Sequence, residues 1–515
     1  MNEKNEKYLR YYNTLKGESK ELSKDKFLFI LNNNGIVKTD PRIDETIDRL
    51  NNLDIEHPFM DYDTFIECIE PSIVLIDKVL ENHLIIHDFK KFTDSIKEIY
   101  NKIIQNKNGH VADYIPQLAR VDPNKCGISI STIDGQQFSI GDVNEYFCVQ
   151  SCCKPINYAL ALEENGLDKV HYYVGREPSG RSFNELVLNK FGNPHNPLIN
   201  SGAIMTSSLI KNKEDASNRF DYVLSKWREL SGKTTKVGFS NPTYLSEKNT
   251  ADRNYALAYF MREINPNKGK PVGFPEDADI NDVLEFYFQC CSIEMDCYGM
   301  SIVASTFANG GICPITGEKV LEPETVRNCL SLMYSCGMYD YSGEFAFTIG
   351  LPAKSGVSGA VMIVIPGVMG ACVWSPRLDA HGNSVQGIDF CKHLCEKFNF
   401  HQYDNIIPNH NKIDPRIENT ITEIEQFTVA CYAAAKGDYH TLHSLFMRGM
   451  DLNTSDYDGR TPLHLACSEG KLDIVKFLIE VSKCDINVKD RWNNTPLDDA
   501  VREKHHDIEE YLNNL

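Results

Sequence analysis

A chain of 515 residues exceeds what one hydrophobic core can serve, and at about 100 to 200 residues per domain it predicts three or four units. With 42% hydrophobic, 10% aromatic and 24% charged residues, the composition is that of a globular protein able to bury sizeable cores. The net charge of -19, from 53 basic against 72 acidic residues, opposes attraction to nucleic-acid phosphates or anionic membranes, so no nucleic acid and no membrane is expected as a partner.

In chain order, the opening M-N-E-K-N-E-K-Y-L-R has no apolar signal core, and its early glutamates argue against an acid-poor transit peptide; a cytoplasmic location is expected. Residues 1–105 repeat apolar side chains at helical spacing, as at Phe27, Leu28, Ile30 and Leu31 and from Ile73 to Leu80, and predict a small all-α domain. The run Asn32 to Gly35 followed by Asp40 has the outline of an EF-hand turn. It lacks the alternating acidic oxygens and closing glutamate of a calcium loop, so the domain is read as EF-hand-like and non-calcium.

Over residues 106–410 the texture changes to short strands and helices punctuated by Gly and Pro. Gly127 to Ser139 reads as a strand, an Asp-Gly turn and a returning strand, and Ser358 to Trp374 as two buried strands around Pro366-Gly367. Strands at both ends with helices between them predict an α/β domain whose sheet pairs its early and late strands. Residues 411–425 are polar and follow Pro408, with Pro415 among them, and read as a linker. In residues 426–515 the ankyrin signature T-P-L-H-x-A starts at Thr461, recurs as T-P-L-D-D-A at Thr495, and has a degenerate earlier copy that aligns Gly437 with Gly470. The threonine caps a helix and the proline suits its first turn.

The 17 cysteines include the adjacent pairs Cys152/Cys153 and Cys290/Cys291 but no C-x-x-C, which favours free thiols in a reducing compartment. No compact metal-ligand spacing occurs, and Gly232-Lys-Thr-Thr is no phosphate loop because Trp227 stands where its first glycine belongs. No metal and no cofactor is expected.

Four S-x-x-K matches occur, at Ser23/Lys26, Ser151/Lys154, Ser208/Lys211 and Ser468/Lys471. Ser151 differs by its neighbours. Phe147, Val149, Cys152, Cys153 and Ile156 press Lys154 into apolar surroundings, and Pro155 fixes a helix start there, with Ser151 in or just before the first turn. A lysine activates a serine only if desolvation or a nearby cation lowers its pKa. Lys354-Ser-Gly, at the head of a strand, could supply that cation, and S-x-x-K followed by K-[ST]-G marks serine acyl-transfer enzymes of the β-lactamase type. The usual intervening S-D-N is absent, which argues against a β-lactam enzyme. Loops around Asn200, Glu247 with Asn254, and Tyr339 add amides, a carboxylate and a phenol, groups able to hold a small zwitterion.

V-A-D-Y-I-P-Q-L-A from Val111, Q-S-C-C-K-P from Gln150, N-P-H-N-P-L-I-N-S-G-A from Asn193, E-K-N-T-A-D-R-N from Glu247, F-Y-F-Q-C-C-S-I-E from Phe286 and L-P-A-K-S-G-V-S-G from Leu351 resemble the serine-dependent glutaminases, animal type with C-terminal ankyrin repeats. The resemblance implies a β-lactamase/transpeptidase-like catalytic domain that hydrolyses L-glutamine to L-glutamate and ammonia without a cofactor. It implies Ser151 as nucleophile, Lys154 as its base, and Tyr339 and Tyr114 flanking the reacting centre. The backbone amides of Ser151 and Val357 would form the oxyanion hole, Glu247 would take the substrate ammonium, and Asn200, Asn254, Tyr287 and Gln150 its carboxylate and backbone end. A homotetramer and a protein partner at the ankyrin repeats are also implied, with the mitochondrial matrix as the alternative location. The loop from Ser182 departs from the family at Glu185 and Val187, where a basic and an aromatic residue are expected, so phosphate control is not carried over. The alternatives are another acyl hydrolase of this fold, and a pseudoenzyme whose ankyrin repeats carry the function.

Overall fold

The computed structural model describes residues 3–53, 58–81, 83–180, 185–263, 273–275, 278–404, 412–416, 419–447 and 450–515, for some of them the backbone alone. They fall into two units, Met1–Gln402 and Tyr403–Leu515.

The first unit begins with the expected helices, among them Glu3–Lys16, Lys24–Asn33, Tyr62–Ile69 and Phe89–Ile103. Two short strands, β1 (Leu22–Ser23) and β2 (Phe59–Met60), pair antiparallel between them. Tyr12, Phe27 and Phe65 fill the small core, with the rings of Phe27 and Phe65 edge to face at 5.6 Å. The turn read at Asn32 to Gly35 ends its helix, and Gly35 takes a φ of +80°, where a Cβ would lie 2.6 Å from the Phe89 ring.

This helical part is tied to the sheet that follows it. Gly35 O accepts from Gln137 N at 2.8 Å, and Arg42 donates to Asp134 O and Gly135 O at 2.6 and 2.8 Å while pairing with the fully buried Asp40. Those carbonyls belong to the Asp-Gly turn between β3 (Gly127–Thr132) and β4 (Gln137–Gly141). After β5 (Phe147–Cys148), β6 (Gly238–Phe239) and β7 (Ile293–Met295) come β8 (Ala353–Ser355), β9 (Ala360–Ile365) and β10 (Met369–Trp374). The main sheet runs β4-β3-β10-β9-β8 and a smaller one β5-β7-β6, every pairing antiparallel.

Early and late strands thus join as expected, with Gly127 opposite Trp374 and Thr132 opposite Met369. Every residue of β3, β9 and β10 is buried, because helices cover both faces. Cys297–Ala308 packs so closely that a Cβ on Gly370 would lie 2.1 Å from Ser305 N. Phe89–Ile103 and Val385–Lys397 pack together and against β4 and β10 respectively. Between β5 and β8 lies a helical layer whose central element, Cys153–Tyr173, is buried at every residue from Cys153 to Leu162 and breaks at Gly166.

The second unit carries the ankyrin pattern. Pro462–Ser468 and Pro496–Arg502 both start in capping boxes, with the Thr461 and Thr495 hydroxyls accepting from the backbone N–H of His464 and Asp498. One boundary differs from expectation: the first helix is Asn419–Lys436, so residues 419–425 of the supposed linker are helical. Beyond Pro415 the sequence holds Ile421, Ile424 and Phe427 at helical spacing with no further breaker, and this outweighs local polarity. Residues 411 and 417–418 of that linker lie outside the described residues.

Candidate active site

Val149 N donates to Ile293 O at 2.8 Å, so the chain leaves β5 anchored to β7. A single 3-10 turn, Gln150–Cys152, then leads into the long helix at Cys153. Gln150 sits at φ +46°, in the left-handed region that costs a non-glycine residue about 1–2 kcal/mol. Gly356 permits that path from the neighbouring strand end: a Cβ there would lie 2.9 Å from Val149 O. Ser151 therefore stands on a tight turn at a helix start and opens into a cavity of about 270 Å³.

The same cavity is lined by Tyr114, Gln150, Asn200, Glu247, Asn254, Tyr287 and Val357. The fold thus brings to one cavity every expected site residue except Lys154, which is buried beneath it against Asn200, and Tyr339, which lines a second cavity of about 480 Å³ with Asn196 and Ser335. Lys154 is 1% exposed, and its Nζ donates to Asn200 Oδ1 at 2.6 Å. Burial lowers its pKa to about 8. Of the other lysines in S-x-x-K matches, Lys26 is exposed and Lys211 and Lys471 are partly so. Burial is what sets Lys154 apart.

Tyr339, also at positive φ (+53°), is buried, and its hydroxyl interacts with the Ser151 side chain. Burial raises this phenol's pKa, and the Ser151 interaction partly offsets the rise. At the other end, Glu247 Oε1 accepts from Tyr114 Oη at 2.7 Å and from Gln150 Nε2 at 2.9 Å. Burial raises the Glu247 pKa, and those two hydrogen bonds act against it. Tyr114 is half-exposed as a residue while its hydroxyl points inward, where its direct partner is the Glu247 carboxylate. Asn200 Nδ2 donates to Asn254 Oδ1 at 3.3 Å, linking the lysine's partner to the substrate-facing amides. Tyr287 is buried with a strongly raised pKa, again through burial.

Thr250, Ala251, Arg253, Phe288 and Cys291 complete the wall and were assigned no role from the sequence, although they fall within or beside the motifs from Glu247 and Phe286. Cys291 Sγ lies 3.9 Å from Cys153 Sγ, and all 17 cysteines are free thiols. Among the described residues no group of three His, Cys, Asp or Glu side chains is arranged to hold a metal ion. Residues 182–184 of the loop read for phosphate control lie outside the described residues; Glu185 and Val187 follow in a tight turn, with Val187 N donating to Glu185 O at 2.9 Å.

Such a wall, with a serine backed by a buried lysine and a phenol and faced by a carboxylate and amides, suits acyl transfer from a small amino acid. Comparison with known proteins agrees. The family model "Glutaminase" matches residues 109–403, "Ankyrin repeats (3 copies)" residues 430–514 and "EF-hand domain" residues 10–87. The "Glutaminase liver isoform, mitochondrial" of Mus musculus is 44% identical over 507 residues, covering 98% of this chain and 83% of that protein. The "Glutaminase" of Nostoc sp. (strain PCC 7120) is 40% identical over 60% of this chain and 89% of its own. The solved "Probable glutaminase ybaS" is 34% identical with a TM-score of 0.54, covering 58% of this chain and 94% of that one. The chain therefore belongs to the glutaminase family, with an EF-hand domain before the β-lactamase-like catalytic domain and ankyrin repeats after it, and hydrolyses glutamine to glutamate and ammonia.

Proposed function

We propose that glutamine hydrolysis runs through a glutamyl ester on Ser151, with the substrate's side chain reaching toward the helix start and its ammonium toward Glu247. The observation that carries this reading is the setting of Ser151: it lines the cavity with Glu247 and Asn200, and it stands before a fully buried lysine that donates to Asn200 and whose pKa burial has lowered to about 8.

In the first step neutral Lys154 takes the Ser151 hydroxyl proton as Oγ bonds to the side-chain amide carbon. The negative charge moves to the amide oxygen, where the backbone N–H groups of Ser151 and Val357 receive it. The carbon–nitrogen bond then breaks; the leaving nitrogen gains the proton, relayed through the Tyr339 hydroxyl, and departs as ammonia. Water next adds to the ester carbon while the same base takes its proton, and cleavage of the carbon–Oγ bond returns Ser151 and releases glutamate. Glu247, Asn200, Asn254, Tyr287 and Gln150 hold the amino-acid end throughout. Tyr114, bonded to Glu247, keeps that carboxylate aimed into the cavity.

Ammonia release from L-glutamine by the full chain and its Ser151→Ala variant tests the mechanism. The variant should bind glutamine and keep its melting temperature while losing turnover by at least about 10⁴-fold. Turnover within tenfold of wild type would sink the serine mechanism.

Two coarser readings accompany this one. The catalytic units associate as homotetramers and the ankyrin repeats bind a protein partner, as the family resemblance and the ankyrin match support; sedimentation of the full chain decides the first. The free thiols suit a reducing compartment, either the cytosol or the mitochondrial matrix.

A further inference from the structure

Lys354 has no part in the steps above, yet it is fully buried and, among the described residues, makes no ion pair. A buried lysine without a carboxylate is costly to keep, so its surroundings indicate what it is for. Its Nζ donates to Gly337 O at 3.0 Å and to Ser355 O at 2.6 Å, and lies 4.4 Å from the centroid of the Tyr339 ring. Gly337 precedes Tyr339 by two residues and Ser355 precedes Val357 by two. Ser355 N also donates to Gly337 O, at 3.3 Å. The backbones meet so closely that a Cβ on Gly337 would lie 1.8 Å from Ala353 O. On the third side, the Cys152 thiol donates to Lys354 O at 3.4 Å, directly after Ser151.

One residue thus touches the segments carrying the nucleophile, the phenol and the proposed oxyanion amide. We infer that Lys354 is a positioning residue for the glutaminase reaction, its amine bracing the Tyr339 ring and the turn that presents Val357 against Ser151. The inference rests on the roles proposed for Tyr339 and Val357. Burial lowers the Lys354 pKa to about 7, so the side chain acts through its hydrogen bonds: an amine donating to two carbonyls and packed on the ring fixes the two loops relative to each other. Tyr339 needs such support because its backbone occupies the left-handed region. Small displacements of groups at a reacting centre lower turnover far more than they weaken substrate binding.

The test is a double-mutant cycle on the full chain, with Lys354→Met, which keeps most of the side chain's apolar length and removes the amine donors, and Tyr339→Phe. For Lys354→Met we expect kcat about 100-fold lower, KM for glutamine within threefold and a cooperative melt. In the Tyr339→Phe background the added loss should shrink to less than tenfold, because much of what Lys354 orients is already gone. If Lys354→Met does not fold, Lys354→Gln, which keeps an amide N–H donor on a shorter side chain, reads the same cycle. Unchanged kcat, a loss confined to KM, or equal losses in both backgrounds would overturn the inference. Unchanged kcat in Tyr339→Phe alone would instead overturn the role given to Tyr339.

Discussion

Ser151 illustrates how a common spacing becomes a site. The sequence offers four S-x-x-K matches, and what distinguishes Ser151 is the burial of Lys154 behind it. Because burial disfavours the charged amine, the folded protein holds this lysine near pKa 8 instead of 10.5. The base is active when neutral, so activity gains as pH rises toward 8. At pH 7 about one lysine in ten is neutral, and kcat/KM should fall about tenfold per pH unit below 8. A plateau extending unchanged from pH 6 to 9 in an initial-rate series would exclude Lys154 as that base. In the proposed mechanism Glu247 carries the opposite charge requirement, since its ionised form would pair with the substrate ammonium. Replacing it by Gln should raise KM by about 10- to 100-fold, the loss of one charged hydrogen bond, with a smaller effect on kcat. Steady-state kinetics separates the two. These residues were legible through motif and resemblance. Their partners were not: neither the Gln150 and Tyr114 bonds to Glu247 nor the Lys354 contact with Tyr339 follows from linear spacing.

At the scale of elements, the site depends on how short helices end. The helix carrying Asn200, Asn200–Ser207, is only two turns long, and its last carbonyls need donors. Arg219 supplies one from the next helix and braces the turn beyond: its Nη2 donates to Ser207 O at 2.8 Å and its Nε to Ile210 O at 3.0 Å, while the guanidinium stacks 4.1 Å from the Phe286 ring centroid. Arg219 is buried, so Arg219→Ala should remove charged hydrogen bonds and packing together and destabilise the catalytic unit by about 2–4 kcal/mol. Thermal melting checks this; a change below about 0.5 kcal/mol would show that Asn200 is held by other means. Elements whose signals were local, such as the Asp-Gly hairpin, the Pro-Gly hairpin and the two threonine-capped ankyrin helices, stood in the sequence. The helical start at Asn419 did not, because polarity and nearby prolines masked a longer apolar period.

In the whole molecule the division into two units has a functional consequence. Every cavity-lining residue named here lies within Met1–Gln402, which has its own cores, whereas the ankyrin core from Ala430 to Leu512 is separate. A chain ending at Gln402 should retain kcat within about threefold of the full chain while losing any partner bound at the repeats. Loss of activity on that truncation, with a native melt, would tie catalysis to the second unit. Composition, turn residues and repeat spacing determined the domain types, their order and the early-with-late strand pairing, because each is written in short stretches of chain. The family motifs singled out Ser151 and Lys154 as the expected nucleophile and base by the same locality. Only the tertiary structure decided which lysines lose their water and which carbonyls meet them. The apolar neighbours of Lys154 foreshadowed its burial, but the burial of Lys354 and the meeting of both lysines with their carbonyl and amide partners come from strands and helices far apart in the chain, and no local pattern records that proximity.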